Sequence, residues 1–235
     1  MFSKTYELRY SDFKDFDTVK ISSVLDMVQD TATKHSESLG FGVNELRELG
    51  VAWFIRGIEI KLFNTPETNK PIEVSTGIKT LKGTVSDRCT AVFQGGKRLA
   101  NCVASWFLFD TKENKIARIP PEISEVYPVE SFDESFPSFK KPQIAEDAPV
   151  ISEILVSNRD IDTNMHLNNV KGAELLMNAL PFDFVPYGIR ILYKKSAYLG
   201  DRLKLCALKI QNGYYVHLAD MNGEICVAGT FESGE

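Results

Sequence analysis

The chain has 235 residues, of which 43% are hydrophobic and 25% charged, with a formal net charge of −5. That is enough apolar material for one large or two small globular domains. The acidic balance argues against nucleic acid as the main partner, which would call for clustered Lys and Arg. No run approaches the roughly 18 apolar residues of a membrane span.

The opening stretch, MFSKTYELRYSDFKDF, is rich in charge and has no apolar core segment. Neither a signal nor a transit peptide is read there, and a cytoplasmic, reducing location is expected. Cys89, Cys102, Cys206 and Cys226 are scattered and form no CxxC pair. Cys102 and Cys226 stand in apolar runs, which predicts buried free thiols. No zinc spacing occurs, and neither metal nor cofactor is expected.

From Ser22 to Gly40, SSVLDMVQDTATKHSESLG predicts an amphipathic helix. Ile21, Val24, Leu25, Val28 and Ala32 recur at three- and four-residue steps, Ser stands at the N-cap and Gly40 closes the run. Asp30 and His35 read as its solvated face. Strand-like segments follow: WFIRGIEIKLF from Trp53, IEVSTGIKTL from Ile72 and NCVASWFLF from Asn101, with a turn at QGGK, Gln94 to Lys97.

Six of the ten prolines then fall between residues 111 and 150: Pro120, Pro121, Pro128, Pro137, Pro142 and Pro149. That density forbids regular helix and central strand. An extended, Pro-rich linker is expected over 116–149, between an N-terminal unit (1–115) and a C-terminal unit (150–235).

The second unit opens on DIDTNMHLNN, Asp160 to Asn169. If extended, the segment points Asp162, Asn164 and His166 one way, as a polar row. Asn168 and Asn169 then cap a helix running from Asn168 to Pro181. Strand-like YGIRILYKKSA, LKLCALKI and EICVAGTFE follow, with Asn-Gly hairpin signals at QNGY and MNGE.

The halves resemble each other. DFDTVKISS from Asp15 aligns with DIDTNMHLN from Asp160, matching Asp15, Asp17 and Thr18 to Asp160, Asp162 and Thr163, and CVAS recurs as CVAG. Both segments precede a helix and then strands, which indicates duplication. An α+β fold of two sheet-on-helix units is expected. In this alignment Val19 and Ile21 stand opposite Asn164 and His166, so the polar row is dispensable to the fold and points to function.

The D-x-N-x-H-x-N-N run at the helix of a second repeated unit resembles the acyl-acyl-carrier-protein thioesterases. The LDMVQDTATKHSESLG helix and the WFIRGIEIKLFNTPETNKPIEVST segment share that resemblance, which covers nearly the whole chain. It implies two tandem hot-dog units, each an antiparallel sheet wrapped around a long helix. The implied reaction is hydrolysis of fatty acyl thioesters on acyl carrier protein, giving free acid and holo carrier protein, with Asp162, Asn164 and His166 as catalytic candidates.

A thioester needs no metal: a positioned water, a base and oxyanion donors suffice. His166 or Asp162 is the base, and Asp162 as nucleophile through an acyl anhydride stays open. Asn164 would hold the water or the carbonyl. Backbone N–H groups where Asn168 and Asn169 start the helix would face the carbonyl oxygen. Plastid members carry an acid in a Y-R-R-E-C segment. Here YKKSA puts Ser196 and Ala197 at those positions, leaving Ser196 on the substrate side of the site.

The first unit is expected to be a non-catalytic acyl-chain pocket walled by Leu25, Val28, Trp53 and Phe54. The partner is acyl carrier protein with its phosphopantetheine-linked chain, docking on Arg190, Lys194, Lys195, Arg202 and Lys204, with Lys140 and Lys141 nearby in the linker. A homodimer is admitted. Two other functions stay open: an acyl-coenzyme A thioesterase, and a non-catalytic acyl-binding or regulatory protein.

Overall fold

The computed structural model describes residues 1–15, 18–68 and 70–234. The chain divides into two compact units, Met1–Arg56 with Ile60–Ser138, and Gly57–Glu59 with Phe139 onward. In chain order the first unit contains β1 (Phe2–Tyr6), a 3₁₀ turn (Tyr10–Asp12), α1 (Ile21–Ser38), α2 (Val43–Leu49), β2 (Val51–Leu62), β3 (Ile72–Lys82), β4 (Val85–Gln94), β5 (Lys97–Asp110), β6 (Lys115–Ile116) and α3 (Pro121–Ser124). The second contains β7 (Val150–Leu155), α4 (Asn169–Met177), β8 (Pro186–Tyr193), β9 (Arg202–Ile210), β10 (Gly213–Asp220) and β11 (Ile225–Ser233).

The strand order of the first unit is β1-β3-β4-β5-β2, with β6 added on β5. Read from its lead-in strand, the second unit has the order β7-β9-β10-β11-β8. The two paths are the same. Each runs from a lead-in strand through a helix to a strand on the far side of the sheet, then back through a three-strand meander. The register pairs β1–β3, β3–β4 and β4–β5 in the first unit, and β7–β9, β9–β10, β10–β11 and β11–β8 in the second, all antiparallel.

The predicted hairpins form where the sequence placed them. Gly95 and Gly96, both with positive φ, make the turn from β4 to β5, whose flanks Gln94 and Lys97 pair. At Gly213, φ is 132°, and a Cβ there would lie 1.9 Å from the Phe231 carbonyl oxygen. Only glycine fits that approach of β10 to β11.

Each sheet is covered by its helix. The buried stripe of α1 (Val24, Leu25, Met27, Val28, Thr31, Ala32 and His35) packs on β3, and α4 packs on β10 and β11 through Val170, Ala173 and Leu176. Two expectations about helix ends need correction. The N-cap of α1 is Lys20, without a side-chain hydrogen bond, and Ser22 lies inside the first turn. Helix α4 stops at Met177, short of the expected Pro181. All four cysteines are free and buried, and burial pushes the Cys89 and Cys226 thiols up to about 11.

The proline-rich stretch has little regular structure, but it is not a loose linker. Ile123 and Tyr127 are buried in a first-unit cluster with Ile78 and Leu108. Glu130 N–H donates to the Ile78 carbonyl at 2.8 Å. Farther along, Ala148 is buried in a second-unit cluster with Cys206, Tyr215 and Ala228, and Ile144 and Ala145 pack against it. The segment is therefore a strap whose apolar residues complete the two cores.

The repeat is real, but its register differs from the sequence alignment. Asp12 N–H donates to Arg9 O, and Asp160 N–H to Ser157 O, each at 2.9 Å. The Asp12 carboxylate accepts Arg9 N–H at 2.7 Å and that of Asp160 accepts Ser157 N–H at 2.9 Å. Phe13 bridges Val19 as Ile161 bridges Leu167. Lys20 N–H donates to Asp12 O as Asn168 N–H does to Asp160 O, both at 2.8 Å. Asp12, not Asp15, is thus the counterpart of Asp160. Val19 corresponds to core residue Leu167, and Thr18 to His166. Asp17, matched to Asp162 in the sequence, lies outside the described residues.

Candidate functional site

The DTNMHLNN segment is a tight loop, not an extended row. Asp162 N–H donates to the His166 carbonyl at 2.8 Å, and Met165 N–H donates to the Asp162 carbonyl at 3.0 Å. Met165 sits at φ 62°, a left-handed conformation uncommon for a long side chain. The Asp162 carboxylate fastens the turn from inside: Oδ1 accepts the N–H of Asn164 at 2.8 Å and that of His166 at 3.3 Å. Alternation along a strand therefore fails as the reason for their grouping. A turn closed on Asp162 brings Asp162, Asn164 and His166 together instead.

The loop is held on its other side by the segment after β8. Leu167 N–H donates to the Ala197 carbonyl at 2.8 Å, and His166 bridges Tyr198. The rings of His166 and Tyr198 lie 4.9 Å apart at 59°. This antiparallel register sets Ser196 opposite Asn168. Tyr198 is in turn fixed by its own turn, with its N–H donating to Asp201 Oδ2 at 2.8 Å. Tyr198 is the site residue that the sequence reading missed. Its position directly after YKKSA was the available signal.

Asn168 caps α4: its Oδ1 accepts the N–H groups of Val170 at 2.8 Å and Lys171 at 3.2 Å. The Val170 and Lys171 N–H groups are thus taken up by the cap and not left for a substrate carbonyl. Asn169 is the first helical residue, and its carbonyl accepts the Tyr193 hydroxyl at 2.9 Å. Asn164 is exposed at the turn's tip, and among the described residues none hydrogen-bonds its side-chain amide. Asp162 and His166 are half-buried. Among the described residues no cluster of His, Cys, Asp or Glu suits a metal ion.

The expected docking cations are largely committed elsewhere. Arg190 pairs with Glu232 at 2.7 Å and with Glu59 at 3.4 Å. Lys195 pairs with Asp220 at 2.7 Å and with Glu224, Arg202 lies 3.7 Å from Glu153, and Lys204 donates to the Met221 carbonyl. Among the described residues Lys194 is exposed and makes no ion pair.

Of the expected pocket walls, Leu25 and Val28 are buried on α1, and Trp53 packs with the cluster around Ile78 and Leu108. Phe54, on the other face of β2, stacks against Phe107 and lies tilted against Phe109. His35 is not on a solvated face. It is 5% exposed, and its Nδ1 lies 2.7 Å from Arg88 Nη1. Asp30 is half-buried and accepts the Tyr6 hydroxyl at 2.8 Å.

Residues 1–127 match the acyl-ACP thioesterase N-terminal domain, and residues 144–230 match the C-terminal domain. An acyl-[acyl-carrier-protein] hydrolase of Cuphea viscosissima, described as chloroplastic, is 24% identical over 195 residues, covering 77% of this chain and 47% of that protein. The chain thus spans about half the length of the curated relatives it matches. Among solved structures, an acyl-ACP thioesterase from Bacteroides thetaiotaomicron superposes with a TM-score of 0.87 at 16% identity, covering 98% of this chain and 96% of the other. The 12:0-ACP thioesterase from Umbellularia californica gives 0.85 at 18% identity, covering 98% and 96%. The fold is the tandem hot-dog fold, and the chain belongs to the acyl-ACP thioesterase family.

Proposed function

We propose that the chain hydrolyses fatty acyl thioesters carried on acyl carrier protein, and that the Asp162–His166 loop is the catalytic element. The observation that carries the site assignment is the closed turn that sets a carboxylate and an imidazole on one short loop of the second unit. In the proposed reaction a water oxygen bonds to the thioester carbonyl carbon while its proton passes to the base. The C–S bond then breaks, and the proton returns to the phosphopantetheine sulfur, leaving free acid and thiol. The thiolate is a good leaving group, so the reaction asks mainly for a base and for donors to the developing oxyanion. His166, oriented by Tyr198 and by its backbone ties, is the proposed base. Asp162 holds the loop and shares the electrostatics of the site, and Asn164 supplies an amide to the water or carbonyl. The first unit is proposed to receive the acyl chain.

The test is release of free thiol from acyl-ACP and from the matching acyl-coenzyme A. Faster turnover of acyl-ACP, lost in His166→Ala, supports the reading, whereas preference for acyl-coenzyme A replaces the carrier. Ser196, at the position of the plastid members' acid, favours one other reading, acyl binding without turnover. Activity on neither thioester, with acyl binding retained, would select it.

A further inference from the structure

The turn that carries Tyr198 is closed by one carboxylate. Between β8 and β9 the chain reverses over Tyr198, Leu199, Gly200 and Asp201. Asp201 joins the two ends of that turn twice. Its N–H donates to the Tyr198 carbonyl at 3.0 Å, and its Oδ2 accepts the Tyr198 N–H at 2.8 Å. It also ties the turn to the end of β7. The Asp201 carbonyl accepts the N–H of the buried Val156 at 2.9 Å, and the Val156 carbonyl accepts that of Gly200 at 2.9 Å. Three of these four bonds belong to the backbone and form whatever the side chain. Only the carboxylate bond depends on residue 201 being Asp.

Tyr198, held in this way, is the residue that meets His166. The rings lie 4.9 Å apart, the two residues bridge as strand partners, and Ala197 beside Tyr198 accepts the Leu167 N–H at 2.8 Å. Tyr198 is 51% exposed, so packing holds its ring on one side only and the turn sets where the ring stands. The first unit shows that the fold does not require this contact. Its strand order is the same, yet its matching connection, between β2 and β3, is held differently. There the Glu67 N–H donates to Gln94 Oε1 at 2.6 Å, and Gln94 Nε2 donates to the Glu67 and Lys70 carbonyls, each at 2.9 Å. Among the described residues that connection forms no bridge to Thr18, the counterpart of His166. A unit of this topology therefore closes without a turn seated on the loop.

We propose that Asp201 is a positioning residue for the hydrolysis, acting through Tyr198 on the His166 imidazole without touching the substrate. This role rests on the Asp162–His166 loop being the catalytic element. A carboxylate accepts the Tyr198 N–H as a charge-assisted bond, the amide oxygen of Asn accepts it without the charge, and Ala offers no acceptor. Loss of that bond loosens the turn under Tyr198 and leaves the substrate's own contacts in place. A base displaced by about 1 Å costs rate, not affinity, so the signature is a fall in kcat at constant KM.

Steady-state release of thiol from acyl-ACP by the full chain tests it. Asp201→Ala should lower kcat about 10-fold at constant KM, and Asp201→Asn should recover most of that loss. Asp110, in the first unit, is a matched control: its Oδ1 closes a turn by accepting the N–H groups of Lys112 at 2.9 Å and Glu113 at 2.8 Å. Asp110→Ala removes the same kind of acceptor and should keep the wild-type kcat. Combined with Tyr198→Ala, Asp201→Ala should add no further loss, because both act through one ring. Asp201→Glu keeps the charge but displaces it by one methylene, should lower kcat several-fold, and carries the test if Asp201→Ala does not fold. A wild-type kcat in these two variants, or a full further 10-fold loss in the Tyr198→Ala background, would overturn the proposal. Turnover retained in His166→Ala would overturn the catalytic reading and this role with it. Turnover lost in His166→Ala but unchanged in Asp201→Ala would overturn the positioning role alone.

Discussion

Asp162 and His166 are joined twice through the backbone, once by the Asp162 N–H on the His166 carbonyl at 2.8 Å and once by the His166 N–H on Asp162 Oδ1 at 3.3 Å. The carboxylate thus builds the loop that presents the imidazole, and its chemical and positional roles must be separated. Asn at 162 keeps an oxygen that can accept both N–H groups, whereas Ala keeps none. Asp162→Asn should therefore leave the melting temperature nearly unchanged, and Asp162→Ala should cost about 1 kcal/mol. If the carboxylate acts as base or nucleophile, both variants lose about 10²–10⁴ in kcat. Turnover within a few-fold of wild type in Asp162→Asn would reduce Asp162 to a loop anchor and leave His166 as the base.

His166→Ala should reduce kcat by about 10²–10⁴ with little change in stability, since its first-unit counterpart is Thr18. Tyr198 gives a finer test. Its ring lies against the imidazole, so Tyr198→Phe keeps the contact and should behave like wild type, while Tyr198→Ala removes it. The expected result for Tyr198→Ala is about a 10-fold fall in kcat at constant KM. A wild-type kcat in Tyr198→Ala would assign Tyr198 to packing alone.

His35 makes stability depend on pH. Its folded value of about 4 lies below the usual 6.5, chiefly through burial and then through Arg88. Between those values the unfolded chain takes up a proton that the folded chain refuses. The stabilisation is present above about 6.5 and is lost as pH falls towards 4, by about 1–3 kcal/mol. Thermal unfolding between pH 7.5 and 5 should show this fall. His35→Gln, whose amide oxygen still accepts from Arg88 and does not titrate, should flatten it in part. Part of the slope should remain, because burial lowers His217 in the same direction. An unchanged slope in His35→Gln would place the titration elsewhere.

The fold was legible because the period-two strands, the α1 stripe and the Gly-bearing turns are local signals, each agreeing with the tandem architecture. The register of the repeat was not. Matching D-x-D-T letters favoured Asp15, whereas the counterpart of Asp160 is Asp12, fixed by hydrogen bonds it accepts from the Arg9 and Lys20 N–H groups, which no letter encodes. The residues of the candidate site were legible as types, but their grouping was misread as strand alternation. The turn depends on a positive φ at Met165, a residue with no preference for it. His35 failed the other way: a polar residue on a helix was assigned to solvent, and its partner Arg88 lies 53 residues away in sequence.

Arg190 divides the docking question from the stability question. Its guanidinium holds Glu232 at 2.7 Å and sits 3.4 Å from Glu59, a carboxylate only 5% exposed that also accepts Lys140 N–H at 2.9 Å. Arg190→Ala strands that carboxylate without its cation and should destabilise the fold by about 1–3 kcal/mol, discounted because Arg190 remains partly solvated. It should leave the KM for acyl-ACP little changed. Lys194 is exposed and makes no ion pair among the described residues, so Lys194→Glu is the substitution that probes docking. It should raise the KM for acyl-ACP several-fold at low salt, with the difference vanishing as salt increases, because an exposed charge acts through a screened field. Stability should be unaffected. A KM that rises in Arg190→Ala and stays constant in Lys194→Glu would move the carrier-binding surface onto the Arg190 ion-pair network.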